Sequence, residues 1–146
     1  AINVNGTRNV TDSLINRIPD GGRIIITSSI WAKTAVSGFS AYVASKHANV
    51  GLMRTWAKEL GPRGIRVNAI CPGWVKTGPA MSSLGDLART QGTSEESLLA
   101  EIISAQAIDG LMTPEDMAET YMFLASEGGR NITGQAINVD RGEVMS

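Results

Sequence analysis

One cysteine, Cys71, and one histidine, His47, occur in the 146 residues of this chain. A lone cysteine cannot close an internal disulfide and suits a reducing compartment. One residue of each type cannot form a Cys/His zinc set, so no metal site is expected. A single imidazole also leaves little room for a Ser-His-Asp hydrolase. Charge of one sign is lacking too: 13 Lys and Arg face 14 Asp and Glu, for a net charge of −1. With no basic run or basic amphipathic stretch, a nucleic-acid partner is not expected. No apolar run nears the roughly 20 residues that cross a bilayer, and Ala1–Asn5 lacks the charged-then-apolar form of a secretory signal. The expectation is a cytoplasmic protein with neither membrane nor nucleic-acid partner. Its chemistry must run on hydroxyls, lysines, amides and carboxylates, or on a bound cofactor. What is present is ordinary for a folded chain: 42% hydrophobic residues and enough length for one domain with its own core.

Val10, Leu14, Ile15 and Ile18 recur at helical spacing, which predicts an amphipathic helix over Asn5–Arg17, stopped by Pro19-Asp20-Gly21-Gly22. Arg23–Thr27 is short, β-branched and apolar, the pattern of a strand buried on both faces of a parallel sheet. A second helix is predicted over Ala41–Leu60, with Val50, Met53, Ala57 and Leu60 on one face and Gly61-Pro62-Arg63-Gly64 ending it. Ile65–Ile70 reads as the next strand, halted by Pro72-Gly73. A polar Gly- and Ser-rich stretch over Thr77–Thr93 reads as irregular, followed by a helix over Glu95–Gln106. Thr113-Pro114-Glu115-Asp116 has the cap, proline and early acids of a helix start, and Ala136–Val139 closes with a short strand. Strands alternating with helices imply an α/β fold with a mostly parallel, doubly wound sheet. No glycine-rich phosphate turn follows any strand, and in such sheets that turn lies in the first half. The pattern is therefore expected to be the second half of a Rossmann-like domain, with the N-terminal half absent.

Tyr42 and Lys46 lie four apart on one helical face, continuing the stripe of Val50 and Met53 toward the sheet. A free tyrosine titrates near 10, too high for efficient proton transfer at neutrality. Bringing it to about 7 requires roughly 4 kcal/mol, at about 1.4 kcal/mol per unit. A lysine ammonium about 5 Å away contributes about 3 kcal/mol at an effective dielectric near 20. A Tyr-Lys pair at this spacing also arises by chance on helix surfaces, so its neighbours decide. Ser29 follows the buried strand, 13 residues before Tyr42, and Pro72-Gly73-Trp74-Val75-Lys76-Thr77 follows the next strand at its carboxyl end. Ligands of open α/β sheets bind at those ends. Asn3 opens the first helix.

This constellation resembles the short-chain dehydrogenase/reductase family: Tyr-x-x-x-Lys, a serine 13 residues upstream, an asparagine near the start of the preceding helix, and Pro-Gly-x-Val-x-Thr after the next strand. The likeness runs on through Gly64–Asn68, Phe123–Ser126, Ile132–Gln135 and Val139-Asp140, and so covers nearly the whole chain. It implies an oxidoreductase that interconverts an alcohol and a ketone by hydride transfer with NAD or NADP, without choosing between them. By the same resemblance, Tyr42 would exchange a proton with the substrate oxygen and Ser29 would hold that oxygen. Lys46 would bind the nicotinamide ribose and lower the tyrosine pKa. Asn3 would anchor a proton-relaying water, Asn5 being the alternative. Pro72, Gly73 and Val75 would line the nicotinamide, and Thr77 would bond a cofactor phosphate or the carboxamide. The segment 78–106 would be a substrate lid, with Leu98, Leu99, Ile102 and Ile103 either its roof or core. The first two helices would pack against their copies in a homotetramer or homodimer, with Trp56 or Met53 at the contact.

Other residues read more plainly. Cys71 fits a small buried hydrophobe, and His47 a structural or surface position beside Lys46. Trp31, Trp56 and Trp74 read as core or interface residues, and Trp74, within the cofactor turn, also as a substrate contact. The chain departs from the family's Asp-Gly-Gly in reading Asp140-Arg141-Gly142, a bulky cation at a tight position. The competing reading is a catalytically silent fragment that acts through subunit association.

Overall fold

The computed structural model describes residues 2–145. Three parallel strands form one sheet in the order β1-β2-β3: Arg23–Thr27, Arg66–Pro72 and Ala136–Val139. A π-helical turn over Ile2–Gly6 leads into α1 (Thr7–Leu14), and α2 (Ser40–Leu60) crosses from β1 to β2. Between β2 and β3 come α3 (Gly78–Gln91), α4 (Glu95–Ser104) and α5 (Pro114–Ala125). The Rossmann-like α/β expectation holds, and β1 and β3 have the predicted bounds.

The burial of β1 differs from expectation. Ile24 and Ile25 stay partly open and Thr27 is exposed, whereas the five residues Val67–Cys71 of β2 are all buried. The reason is positional: β2 is flanked on both sides, while β1 pairs on only one edge among the described residues. A groove of about 520 Å³ runs between α1 and β1, lined by Val10, Leu14 and Ile24–Ile26. The first helix is also shorter than predicted, ending at Leu14. The Arg63 guanidinium donates to the carbonyls of Ile15 and Ile18 and to the Asp20 carboxylate, tying the end of that segment to the turn before β2. Gly64 in that turn has φ +67°, which glycine adopts without cost.

Met53 and Trp56 are not subunit contacts in the making. Both are buried in the chain's own core with Val50, Ala57, Leu60, Ile65 and Val67, where α2 lies on the sheet. Their stripe spacing pointed to an apolar partner, and that partner is β2. The stretch over Thr77–Thr93, expected to be irregular, is for the most part the 14-residue α3. Thr77 caps it by accepting from the Ala80 amide, Pro79 stands in its first turn, and Gly92 ends it at φ +69°. Leu84, Leu87 and Ala88 bury its inner face against Leu98, Leu99 and Ile102 of α4. Those α4 residues are thus core for the helix pair rather than a roof.

Asn68 is a buried polar residue in the central strand, 2% exposed. Its Nδ2 donates to the Ile132 carbonyl at 2.8 Å and its Oδ1 accepts from the Gln135 amide at 3.1 Å, holding the loop that feeds β3. Replacing it by alanine takes the side-chain partner from the part-buried Ile132 carbonyl and Gln135 amide, each loss costing about 1–3 kcal/mol. Asn68→Ala is therefore expected to destabilise the fold by about 2–4 kcal/mol, read from the urea midpoint at unchanged m-value. A loss below about 0.5 kcal/mol would contradict that role.

Candidate active site

Both crossovers deliver chemistry to the carboxyl ends of the strands. After β1 the chain turns at Ser28 and Ser29, where the Ser28 amide donates to the Ile70 carbonyl and the Ser28 hydroxyl to the Lys46 carbonyl. This fixes the spacing between the end of β1 and the first turns of α2. Lys46 Nζ donates to the Thr27 carbonyl at 3.2 Å and lies 5.3 Å from the centre of the Tyr42 ring. Ser29 is buried, accepts from the Trp31 amide, and lines the same cavity as Tyr42. The predicted trio of Ser29, Tyr42 and Lys46 is therefore one cluster.

Asn3 lies apart from it. Its Nδ2 donates to the Ser45 hydroxyl at 3.0 Å, and that hydroxyl donates to the Tyr42 carbonyl at 2.7 Å. It thus braces the α2 turn that carries Tyr42 and Lys46, while Asn5 is exposed. His47 is exposed as well, its ring Nδ1 at 3.0 Å from the Val43 carbonyl oxygen one turn back. Cys71 is fully buried in β2, as a small hydrophobe should be.

Burial acts against the lowering expected for the tyrosine. Tyr42 stays 38% exposed, yet the partial burial of its ring raises the hydroxyl above its ordinary value, and the Ser29 side chain only partly offsets this. Burial likewise pulls the Lys46 ammonium below its ordinary value. Desolvation disfavours the charged form of each group, and sequence spacing carries no information about it.

After β2, the Gly73 amide donates to the Val139 carbonyl, and a Cβ on Gly73 would lie 2.8 Å from that of Asp140. Only glycine allows that approach. Val75 pairs with Met112 in a short parallel bridge, outside the cavity lining. Pro72, Gly73, Trp74 and Thr77 face Ser29 and Tyr42 across a cavity of about 290 Å³. The Thr77 hydroxyl oxygen accepts from the Ala80 amide.

A family profile described as enoyl-(acyl carrier protein) reductase matches residues 1–143. The chain belongs to the short-chain dehydrogenase/reductase family. It is 38% identical to a D-beta-hydroxybutyrate dehydrogenase of Rhizobium meliloti over 83% of its own length and 47% of that protein's. A short-chain type dehydrogenase/reductase from Mycobacterium ulcerans superposes with a TM-score of 0.84 at 33% identity, over 97% of this chain and 49% of that one. Carveol dehydrogenase from Mycobacterium avium, in complex with NAD, gives 0.87 at 30% identity, over 97% and 54%. The chain spans about half the length of the curated relatives it matches.

In this short-chain dehydrogenase/reductase, two aromatic cavity residues escaped the sequence reading. Trp31, read as core or interface, and Phe39, not singled out, both line the cavity. The available signal was proximity: Trp31 lies two residues after Ser29, and Phe39 three before Tyr42. A carboxyl pair behind Gly73 was also missed. Asp140 accepts from the Gly142 and Val144 amides, and beside it Glu143 has a buried Oε2 without a partner. Burial, then the Asp140 charge, raise the Glu143 carboxyl from 4.5 to about 6, against a lowering hydrogen bond from Gln106.

A carboxyl raised on folding contributes stability that is fully present below its unfolded value and lost as pH rises through the folded one. For Glu143 that window runs from about 4.5 to about 6. Glu143→Gln, which mimics the neutral form, is expected to match the parent at pH 4 and exceed it by about 1 kcal/mol above pH 7, after discounting for solvent screening. Equal unfolding midpoints at pH 8 would contradict this.

Arg141, at the departure from Asp-Gly-Gly, adopts φ +56°, a conformation that glycine takes freely. Its guanidinium donates to the Asp109 carbonyl and lies 4.0 Å from Asp116. The cation fastens the loop before α5 to the end of β3.

Proposed function

We propose that the full-length protein is an NAD- or NADP-dependent oxidoreductase that interconverts an alcohol and a ketone, with Tyr42 as its acid and base. The observation that carries this reading is the meeting of Ser29, Tyr42 and Lys46 at the carboxyl ends of two parallel strands, beside an open cavity.

The donor set suits a nicotinamide cofactor. Lys46 has three N–H donors, one of them given to the Thr27 carbonyl, and its others suit a pair of ribose hydroxyls. The Pro72-Gly73 turn and Val75 would line the nicotinamide, and the Thr77 hydroxyl would donate to a cofactor oxygen. When bound, the nicotinamide supplies or accepts the hydride. Ser29 holds the substrate oxygen, and Tyr42 donates a proton to it in reduction or takes one in oxidation. The tyrosine's burial is unfavourable to a phenolate, so the Lys46 charge, oriented by the Thr27 carbonyl, must favour the anion during turnover. Asn3 keeps the α2 turn in register through Ser45 and would anchor a water serving Lys46. Trp74 contacts substrate, and 78–106, now α3 and α4, acts as the lid.

Full-length protein given NADH or NADPH and a range of ketones is expected to oxidise the cofactor only when a carbonyl compound is present. Absence of carbonyl-dependent oxidation with both cofactors would defeat the reading. The protein works in the cytoplasm as a homotetramer or homodimer. In support stand its single buried thiol and the exposed Val10, Leu14, Met122 and Phe123. No helix among the described residues is long and apolar enough to cross a membrane. Sedimentation of the full-length protein at micromolar concentration is expected to show two or four subunits, and a monomer would contradict this.

A further inference from the structure

The cavity beside Ser29 and Tyr42 has an aromatic wall whose chemistry narrows the substrate. Trp31 stands at its centre. Its ring is edge-on to Tyr42 at 5.8 Å and 88°, edge-on to Trp74 at 5.9 Å and 81°, and tilted on Phe39 at 5.3 Å and 56°. Three ring contacts hold the indole in one orientation, so the wall is formed before anything binds. Such contacts favour ring edges on ring faces, and a flat molecule meets the same preference.

Polar groups are few on this surface. The Ser29 and Tyr42 hydroxyls lie together on one side, and Ser83 adds a third from α3. The Thr77 oxygen is already accepting from an α3 amide. None of the lining residues carries a charge. A carboxylate or phosphate placed against the aromatic wall would lose water and find no cation among the described lining residues, a heavy penalty for an ion. An uncharged ring loses little and gains contact with three aromatic side chains.

Resting on the proposed Tyr42 chemistry, we infer that the substrate is an uncharged cyclic alcohol or ketone of alicyclic or aryl type. Its oxygen lies between Ser29 and Tyr42 and its ring lies against Trp31, Phe39 and Trp74. This separates it from acyclic oxo acids and phosphorylated sugars, which need a cation that the wall lacks.

The test uses the full-length protein with NADH or NADPH and four carbonyl probes: cyclohexanone, acetophenone, acetoacetate and 4-oxopentanoate. The cyclic ketones are expected to give kcat/KM at least tenfold above the oxo acids. Trp31→Leu, which removes the ring, is expected to lower kcat/KM for acetophenone at least tenfold, mostly through KM. Trp31→Phe, which keeps a ring, is expected to restore at least half of that loss on a logarithmic scale and also checks that the site still folds. Acetophenone is also expected to quench the tryptophan fluorescence of the Tyr42→Phe variant, a binding readout independent of turnover. Preference for the oxo acids, or a Trp31→Leu variant within twofold of the parent, would overturn the substrate class and leave the Tyr42 reading intact. No turnover of any probe with either cofactor, and no quenching, would overturn both.

Discussion

Replacing Tyr42 by phenylalanine is expected to lower turnover by the full-length enzyme at least a hundredfold. The ring, its edge contact with Trp31 at 5.8 Å and the first turns of α2 all remain. What is lost is the hydroxyl that shares the cavity with Ser29. General acid–base catalysis contributes typically 10²–10⁴-fold. Here the oxygen of an alkoxide leaving without a proton has only the Ser29 hydroxyl for company. The loss should fall on kcat rather than KM, because the hydroxyl's proton matters most when charge develops on the substrate oxygen. Ketone binding, measured by fluorescence quenching, should change less than threefold. Turnover within a factor of three of the parent would remove Tyr42 from the mechanism.

Lys46→Met is expected to do two things at once. The amine holds the Thr27 carbonyl and projects within 5.3 Å of the Tyr42 ring, so one residue serves both cofactor and acid. The direction follows from sign: a cation favours the phenolate, so removing it raises the acid's apparent pKa. In alcohol oxidation the tyrosine must start deprotonated, and the rising limb of the pH–rate profile should move to higher pH. In ketone reduction the falling limb should move the same way. Cofactor affinity should drop at least tenfold and kcat/KM at neutral pH at least a hundredfold. An unchanged profile would mean that Lys46 does not tune the tyrosine.

Much of the frame was legible because backbone pattern dominates it. Arg23–Thr27 could only be a strand, and Gly61–Gly64 could only end a helix; both lie where they were expected. The Ser29, Tyr42 and Lys46 cluster was legible because helix geometry fixes the last pair and the strand end fixes the serine. Elsewhere the physics lies beyond sequence spacing. Gly78, Ser82, Ser83 and Gly85 disguised α3, although Met81, Leu84, Leu87 and Ala88 carry its periodicity. Met53 and Trp56 were apolar enough for a subunit contact, and only the placement of β2 shows which surface covers them. The effect of burial on the Tyr42 hydroxyl was not legible for a related reason. Coulomb attraction could be estimated from a helical interval, but desolvation depends on everything packed around the ring. Trp31 was hidden because three of its ring contacts join segments separated in sequence or irregular in backbone.

The central claim is that this site moves a hydride to carbon and a proton, through Tyr42, to oxygen. Isotope placement tests it most directly. Full-length protein would reduce a cyclic ketone in ordinary water with NADH or NADPH deuterated on both C4 positions, and the product would be analysed by mass and NMR. The account predicts one deuterium on the carbinol carbon of the product. Slowing by a solvent isotope effect in heavy water should appear with the parent and vanish with Tyr42→Phe. A carbinol carbon carrying only solvent hydrogen would contradict direct transfer, and with it the assignment of this site.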